Sequence, residues 1–365
     1  MGKTRSRSAV LAAAAALVLG VAGPAAAAEV SDPIIDGLAS PLGLAVGRDG
    51  TIYVAQSFGG TVSEFRNGTL QTTAAAEFPT GVDAIGRGNV TFLAGGSVHV
   101  VNPSGKVRTL ASLAEYETNA NPDAGNAYGL QNLGDECRTT IESTFAEAIE
   151  NAQTPEQEEE LRMVLGAVLP HGGVADSNPY AVAIMPTGNR IVADAAGNTL
   201  LRVTPWGKVS TVAVLPPRPA VVSAEAAAEN GLPGCVVGLT LNFDFVPTDV
   251  ELGPDGLFYV TSLPGGPEGP SALGARGGVF TVNPFTGKVR QIADGFNGAT
   301  DLAVTPRGEV FVTELFGGRV SKVVSGGPQP VAEMTEPVAI EYARGKLYVA
   351  RGVFSGPGQV VTITR

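Results

Sequence analysis

The hydrophobic and polar positions of this chain repeat a short unit in which two apolar runs flank a turn that contains Gly. The clearest copy is Pro41–Gln56, which reads P-L-G-L-A-V-G-R-D-G-T-I-Y-V-A-Q. Short apolar runs bounded by turn residues are typical of β-strands, and Asp-Gly suits a tight turn because Gly adopts positive φ. Each copy therefore predicts two antiparallel strands. Six copies are present, and they begin at Pro41, Pro79, Pro179, Pro247, Ala299 and Pro337.

Further strands follow most copies, so that a full unit has four. Third strands are predicted at Leu200–Val203 and Arg319–Val323, and fourth strands at Lys208–Val212 and Lys288–Ile292. Four short strands in a unit of about 40 residues are the sequence signature of a β-propeller. We therefore predict an all-β fold, a six-bladed β-propeller, in which Val30–Gly37 supplies the strand that the last copy lacks and closes the ring.

Three insertions interrupt the repeat. The copies start 38, 100, 68, 52 and 38 residues apart, and the excess lies at about residues 113–173, 215–245 and 263–275. In a propeller, the connections between blades share a face with those between second and third strands, so all three insertions should decorate one face. The first has apolar residues at Ile141, Phe145 and Ile149 and a capping box at Thr154. These features predict an α-helical hairpin that caps this face and packs on the propeller.

The N-terminal 28 residues follow a different pattern. Three basic residues precede an apolar run from Ala9 to Val21 and an alanine tract that ends at Ala28. This order is typical of a secretory signal peptide, and the run is shorter than the ~20 residues that a spanning helix needs. We predict a signal peptide over residues 1–28, a propeller over residues 29–365, no membrane span after signal removal, and a secreted, extracellular protein.

The composition supports a β-protein rich in turns and excludes one class of partner. Gly (48) and Pro (26) make up about a fifth of the 365 residues, well above the usual share. The formal net charge is −11, and nucleic acid is not an expected partner because its recognition needs a basic face. From Glu115 to Glu160 there are twelve acids and one base. We interpret this segment as a solvated helix face, with the docking of a basic partner as the alternative.

The two cysteines fall in different insertions, Cys137 in the first and Cys235 in the second. Both insertions are expected on the same face, one blade apart. In an oxidising compartment, such cysteines are expected to form a disulfide that holds the cap across the mouth of the channel. Two buried free thiols are the alternative.

Candidate functional residues lie where the first strands begin and the second strands end, because these positions meet at the channel mouth on the decorated face. Our candidates for ligand binding are Asn178, Tyr180, Asp249, Asp301, Glu314 and Arg351. Asp83, Glu251 and Glu341 lie two residues deeper in register. Carboxylates from several blades can hold calcium, form an acid–base pair, or satisfy backbone amides along a water-filled channel, and these alternatives stay open.

No local motif decides between these alternatives. The chain has two His, no G-x-S-x-G, no His spacing typical of metal sites, no phosphate loop and no dinucleotide fingerprint. We therefore name no catalytic residue and expect no cofactor. Calcium is kept as an alternative, with Asp249 and Asp301 as its weak candidate ligands.

The order of several segments resembles the ScyD/ScyE family of exported bacterial propellers, within the wider group of NHL-type six-bladed propellers. The similar segments cover essentially the whole chain after the signal peptide, and the most specific are Asp176–Val182, Ile191–Val203 and Val246–Val260. The resemblance implies an exported propeller. Members outside the scytonemin pigment clusters have no settled activity, so the resemblance implies no catalytic residues.

A second resemblance is to the gluconolactonase/SMP-30 group of six-bladed, calcium-using hydrolases. Some of the metal ligands of that group are Asn or Asp directly after the proline that opens a blade. That position here holds Leu42, Thr80, Tyr180, Thr248, Thr300 and Val338, whereas Asp249 and Asp301 lie one residue later. A shift of one residue changes the face that a strand side chain meets, which argues against the lactonase ligand set.

Together, these features predict a secreted binding protein of the ScyD/ScyE type whose ligand binds on the capped face. Its partner is expected to be an unknown small molecule or an extracellular or envelope component, and the protein is expected to be a monomer. The alternative is a metal-assisted hydrolase or lyase, using calcium, with its site at the channel mouth.

Overall fold

The computed structural model describes residues 28–85, 89–267 and 271–364. The predicted signal peptide therefore lies outside the described residues, apart from Ala28. Within the described chain, short antiparallel strands dominate, and helices occur in two of the predicted insertions.

The strands of the first half of the chain pair mainly with their neighbours in sequence. Their bounds are β1 (Glu29–Val30), β2 (Ile35–Leu38), β3 (Pro41–Val46), β4 (Ile52–Gln56), β5 (Thr61–Arg66), β6 (Thr69–Ala75), β7 (Val82–Ala84), β8 (Val90–Ala94), β9 (Ser97–Val101), β10 (Val107–Ser112), β11 (Gly129–Leu130), β12 (Pro179–Ile184), β13 (Arg190–Asp194) and β14 (Thr199–Val203).

The second half continues the same arrangement. Its strands are β15 (Val209–Val214), β16 (Arg218–Val221), β17 (Thr240–Phe243), β18 (Pro247–Leu252), β19 (Phe258–Ser262), β20 (Gly277–Val282), β21 (Val289–Phe296), β22 (Ala299–Val304), β23 (Val310–Glu314), β24 (Arg319–Val324), β25 (Gly327–Glu333), β26 (Pro337–Ala343), β27 (Lys346–Arg351) and β28 (Gly358–Thr364).

Five sheets consist of four consecutive strands each, namely β3–β6, β7–β10, β12–β15, β18–β21 and β22–β25. A further sheet joins the two ends of the described chain, because β1 and β2 both pair with β28 beside β27 and β26. The predicted pairing of the segment around Val30–Gly37 with the last strands is therefore present. The first strand of each sheet contacts the first strand of the next, from β3 through β7, β12, β18, β22 and β26 back to β3.

The hydrophobic core is divided among the gaps between successive sheets. Tyr53 of β4 packs in one cluster with Phe92 of β8, and Leu93 of the same strand packs in the next cluster with Val192 of β13. Each second strand thus has both of its faces buried, and for this reason β4 reads as the continuous apolar run Ile-Tyr-Val-Ala before Gln56. Four more clusters fill the remaining gaps in the same way. The resulting structure is a closed circle of face-packed sheets.

Three of the four helices pack with the second insertion, whereas the first helix packs between two of the repeated sheets. Their bounds are α1 (Leu113–Ala120), α2 (Asp135–Glu150), α3 (Pro155–Val168) and α4 (Ala224–Glu229), with a 3₁₀ turn at Gly234–Val236. Helices α2 and α3 contact each other, and Thr154 caps α3 by accepting a hydrogen bond from the Gln157 amide. Helix α1 and the three-stranded sheet β11-β17-β16 were not predicted from the sequence.

The apolar side of the helical hairpin differs from the prediction in what it contacts. Ile141 and Phe145 of α2 pack with residues of the second insertion, such as Val236 and Leu241, rather than directly on the repeated sheets. Cys137 and Cys235 form the predicted disulfide bond, which joins the two insertions. No helix in residues 28–85, 89–267 and 271–364 combines the length and the hydropathy that crossing a membrane requires.

Candidate functional site

A polar cavity lies where the six first strands meet. Its volume is about 220 Å³, and its wall contains residues from β3, β12, β18, β22 and β26 and from the segment around β7. Five carboxyl groups line it: Asp83, Asp249, Glu251, Asp301 and Glu341. No Lys, Arg or His is found among the described residues that form this wall. We call it the central cavity.

The space for this cavity comes from small residues at one register position. Gly43, Ala181 and Ala339 each lie two residues after the start of a first strand, directly past an irregularity in its pairing with the second strand. Asp249 and Asp301 occupy the same position in β18 and β22. The close approach of the strands requires Gly43, because a Cβ atom there would lie 2.2 Å from the Thr80 carbonyl oxygen. Two first strands thus carry a carboxyl group at the register position where three others carry Gly or Ala.

Two of the five carboxyl groups are anchored by the neighbouring sheet. Asp83 accepts a hydrogen bond from the backbone N–H of Ile184 at 2.6 Å, and Asp249 accepts one from that of Leu302 at 3.1 Å. In both cases the acid lies on one first strand and the donor lies on the next. These contacts agree with the alternative in which such groups satisfy backbone amides. The two hydrogen bonds also fix the orientation of the carboxyl groups.

Asp249 and Asp301 form a hydrogen-bonded pair. Burial raises the pKa of Asp249 to about 7, although the amides of Leu302 and Val250 and the Asp301 carboxyl act in the opposite direction. Burial, followed by the charge of Asp249, raises the pKa of Asp301 well above its ordinary value. Asp301 is therefore the proton donor within the pair and Asp249 the acceptor. Asp249 is only 8% exposed, so bulk water screens this interaction weakly.

The other three acids add negative charge without a compensating base in the wall. Burial and the charge of Glu341 raise the pKa of Glu251, and burial and the charge of Asp83 raise the pKa of Glu341. Burial also raises the pKa of Asp83, to about 6, and Arg190 lowers it only in part. The cavity therefore holds protonated and ionised carboxyl groups side by side near neutral pH.

Calcium fits the chemistry of these groups but not their present arrangement. Carboxylate oxygens are the ligands that Ca²⁺ prefers. Across the described parts of the chain, however, no three or more His, Cys, Asp and Glu side chains are grouped so as to hold a metal ion. The hydrogen bond between Asp249 and Asp301 also occupies oxygens that a shared cation would need. We therefore derive no chemical step through a metal in this cavity.

The six predicted site residues separate into two groups. Tyr180, Asp249 and Asp301 line the central cavity, whereas the cavity wall does not include Asn178, Glu314 or Arg351. Glu314 is fully buried and accepts hydrogen bonds from Arg319, from the Ser321 hydroxyl and from the Asn297 amide. Arg351 donates two hydrogen bonds to Gln359 Oε1.

Asn178 takes part in a similar structural contact through its backbone. Its N–H donates to Asp194 Oδ1 at 2.8 Å, and Asp194 also accepts from the Ser177 hydroxyl. Asp194 and Glu314, at the ends of two second strands, thus bind the segments that lead into the first strands. Arg351 instead binds the strand that follows it.

A second buried polar group lies outside the cavity and was not among the predicted site residues. It involves Glu117, Asn121 and Asp123 of the first insertion, near Asp194 and Asn198. In the sequence, Glu117 and Asp123 belong to the long acidic segment. Their only distinguishing signal is their position, with one in the last turn of α1 and the other directly after this helix.

Solved structures resemble this chain over most of its length at low sequence identity. A gluconolactonase from Xanthomonas campestris matches with a TM-score of 0.55 and 13% identity, over 94% of this chain and 97% of that one. The likeness shows the fold. This chain has a β-propeller-like fold. A virginiamycin B lyase from Staphylococcus aureus gives a TM-score of 0.49 at 12% identity, over 88% of this chain and 81% of that one.

A PQQ-bound aldose sugar dehydrogenase from Streptomyces coelicolor gives the same TM-score of 0.49, with 12% identity over 94% of this chain and 99% of that one. No protein-family model matches the sequence, and no curated protein matches it.

These comparisons correct the functional prediction. The main prediction, a secreted binding protein of the ScyD/ScyE type, is contradicted, because the similar structure with a TM-score of 0.55 is a gluconolactonase, which is an enzyme. The alternative, a metal-assisted hydrolase or lyase with its site at the channel mouth, agrees better with that structure. The sequence misled because the repeats carry the fold, whereas the acids that line the cavity form no local motif.

Proposed function

We propose that this protein is an enzyme of the hydrolase or lyase class that uses carboxyl groups of the central cavity as general acid and base. The hydrogen-bonded pair of Asp249 and Asp301 is the observation that carries this proposal. A pair of acids whose environment separates their protonation states is a recurring device for proton transfer near neutral pH.

The two acids have different roles in this proposal. Asp249 is the base, because the Leu302 amide and the Asp301 carboxyl both donate to its carboxylate. It takes a proton from an attacking water molecule, or from a carbon atom next to a carbonyl group. Asp301 is the acid, because its proton is retained by burial and by the adjacent charge. It gives that proton to the oxygen of the leaving group.

The cavity restricts the substrate by size and charge. Its volume of about 220 Å³ lies below the ~300–1,000 Å³ of pockets that hold drug-sized ligands. Five carboxyl groups without a basic residue in the wall repel anions. The substrate is therefore a small, polar molecule that is neutral or positively charged. The likeness to a gluconolactonase supports a neutral sugar lactone as the first substrate to test.

The proposal includes an arrangement of domains. We propose that residues 29–365 form a six-bladed propeller, that residues 113–173 carry a helical cap on one face, and that residues 1–28 are removed on export. The closed circle of first strands and the six core clusters between the sheets support the six blades. The disulfide supports an oxidising location outside the cytoplasm. The sequence likeness to ScyD/ScyE proteins is retained only as a proposal of kinship.

The test is an assay of hydrolysis and elimination on a panel of small neutral lactones, esters and hydroxy acids. Wild-type protein is compared with Asp249→Asn, Asp301→Asn and the control Asp32→Asn, whose exposed carboxyl lies outside the cavity wall. We expect both cavity variants to lower kcat by about 10²–10⁴-fold, the usual contribution of general acid–base catalysis, and the control to leave it unchanged. Equal activity in all four proteins would exclude the pair as the catalytic group.

A further inference from the structure

Three side-chain oxygens close together in sequence are buried without a hydrogen-bond donor. They are Glu117 Oε2, Asn121 Oδ1 and Asp123 Oδ1, at the end of α1 and directly after it. Glu117 is fully buried and Asp123 is 1% exposed. Buried polar atoms are almost always satisfied, and a carboxylate oxygen buried without a partner is costly. Three such oxygens within seven residues therefore indicate a missing positive partner.

The other halves of these side chains fix the direction of the unsatisfied oxygens. Glu117 Oε1 accepts from the Thr199 hydroxyl at 3.3 Å, and Asn121 Nδ2 donates to the Gly173 carbonyl at 3.1 Å. Asp123 Oδ2 accepts from the Tyr128 hydroxyl at 3.0 Å and from Asn198 Nδ2 at 3.1 Å. None of the three groups can turn to find a donor without losing a contact that it already has.

Two glycines hold the surrounding backbone against these carboxylates. A Cβ atom on Gly173 would lie 2.1 Å from Asp123 Oδ1. A Cβ atom on Gly197 would lie 2.7 Å from Glu117 Oε1 and 3.4 Å from the carbonyl oxygen of Asp176. The turn of Gly197 and Asn198 thus touches both acids, since Asn198 binds Asp123. The Asp176 carbonyl group lies near the same turn.

The local charge is negative. Burial, then the charge of Asp194, and then that of Asp123 raise the pKa of Glu117 to about 7. No basic residue is among the causes of this shift. Asn198 Nδ2 bridges Asp123 and Asp244, but it is neutral and cannot offset the charge.

We propose that a calcium ion binds at the end of α1, with Glu117, Asn121 and Asp123 as its side-chain ligands. Calcium takes six to eight oxygen ligands from carboxylates, amide oxygens and backbone carbonyls in flexible geometry, and this set contains the first two kinds. Zinc prefers nitrogen and sulfur ligands. Magnesium keeps several water ligands, for which a site between buried side chains has little room. The described residues contain no metal-binding group of three or more His, Cys, Asp or Glu side chains. The set proposed here has only two such side chains, and its third ligand is the amide oxygen of Asn121.

The ion joins parts of the chain that are distant in sequence. Glu117, Asn121 and Asp123 belong to the first insertion, whereas Asp194 and Asn198 belong to the end of β13 and the turn after it. Through Asn198, the site also connects to Asp244 beside the second insertion. Bound calcium would therefore fix the root of the cap to the repeated sheets, independently of the central cavity.

The test is calcium titration of the full protein by isothermal calorimetry, after removal of bound metal, together with thermal unfolding. We expect one Ca²⁺ per chain and a Tm that rises with calcium. Asp123→Asn and Glu117→Gln should each weaken binding at least tenfold. The matched control Glu115→Gln, on the exposed side of the same helix, should bind as the wild type does. Asp249→Asn should also bind normally, which separates this site from the central cavity.

A second measurement keeps the test decisive if a variant fails to fold. Terbium replaces calcium, and Tyr128, whose hydroxyl touches Asp123, should sensitise its luminescence. Tyr128→Phe should then lower the luminescence more than it lowers calcium affinity. The proposal is overturned if folded wild-type protein binds no stoichiometric calcium. It is equally overturned if binding survives both Asp123→Asn and Glu117→Gln, or is lost only in Asp249→Asn.

Discussion

At the scale of single residues, the decisive feature is the different environment of two aspartates at one register position. Asp249 in β18 and Asp301 in β22 begin from equivalent places in a repeated sequence. The amide of Leu302 favours the ionised form of Asp249, whereas the charge of Asp249 favours the protonated form of Asp301. Two equivalent positions of the repeat thus become a base and an acid, because different groups lie beside their carboxyl groups.

The titration of Asp301 tests this difference directly. We expect the Asp301 carboxyl to stay protonated at pH 7 in the wild type, in carboxyl-carbon NMR of protein labelled at Asp. In Asp249→Asn the repelling charge is gone, so the pKa of Asp301 should fall, while Asp32→Asn should leave it unchanged. An Asp301 signal that titrates identically in all three proteins would show that the two groups do not interact.

The sequence allows part of this site to be predicted. Asp249, Asp301 and Tyr180 were identified because strand positions repeat, and register determines which residues reach the cavity. Glu314 and Arg351 follow the same logic, but their partners, Asn297 and Gln359, become neighbours only after folding. Whether a polar side chain has a hydrogen-bond partner depends on contacts between distant segments, and the repeat pattern does not reveal these contacts.

At the scale of elements, buried polar residues at the ends of three second strands hold their sheets to the segments before them. Glu314 at the end of β23 binds Arg319 of β24, at 2.7 Å, and the amide of Asn297, which precedes β22. Gln56 at the end of β4 accepts from the Ala39 amide before β3. These contacts satisfy backbone groups that the turns between sheets leave without a strand partner.

Removing Glu314 should therefore destabilise the fold without altering the chemistry of the cavity. Glu314→Ala leaves the half-buried Arg319 and the Asn297 amide unpaired, and we expect the free energy of unfolding to fall by about 3 kcal/mol. Urea denaturation measures this, with exposed Glu77→Ala as the control. A loss below about 0.5 kcal/mol, the usual range for surface substitutions, would contradict the structural role.

Removing the disulfide should loosen the helices of the cap. This bond closes a sequence separation of 98 residues, for which the chain-entropy account gives a stabilisation of about 4–5 kcal/mol. In a variant with both Cys137→Ser and Cys235→Ser, α2 and α3 should be cut first in limited proteolysis, while the repeated sheets stay intact. The wild type under non-reducing conditions is the control. Equal cleavage rates would mean that packing alone holds the helices.

The structure of the insertions was predicted from the sequence only in part. Helices α2 and α3 were predicted from apolar spacing and the capping box at Thr154. The sheet β11-β17-β16 was not predicted, because it pairs Gly129 with Asn242 across more than 100 residues and β11 is only two residues long. The apolar side of the hairpin consequently packs on a layer that the sequence pattern did not show.

At the scale of the whole molecule, the central cavity concentrates acids at the axis of a fold whose core is otherwise apolar. Burial raises the pKa of Asp83 to about 6 and that of Asp249 to about 7, and it raises those of Glu251, Asp301 and Glu341 as well. In the unfolded chain these groups titrate near 4. Between those values the unfolded state releases protons that the folded state retains, so stability falls as the pH rises from about 4 to above 7.

Neutralising one of these acids should therefore stabilise the protein at high pH. We expect Glu341→Gln to raise Tm by about 2–4 °C at pH 8 and to have no effect at about pH 3, where both the folded and the unfolded states are protonated. Scanning calorimetry at both pH values measures this, with Glu77→Gln as the control. A lower Tm at pH 8, or an equal shift at both values, would show that the cavity accommodates the ionised form without cost.

The repeat pattern was sufficient to predict a β-propeller-like fold of four-stranded antiparallel sheets, since each strand–turn–strand copy forms the first two strands of its repeat. The function was not predictable in the same way, because residues from six sheets build the central cavity and no local motif marks it. Its catalytic role is tested most directly by the pH dependence of kcat/KM on a lactone that the wild type hydrolyses. We expect a bell-shaped profile whose acid limb lies near pH 7 in the wild type and disappears in Asp249→Asn, together with most of the rate. A profile that is flat in the wild type, or unchanged in that variant, would contradict the account.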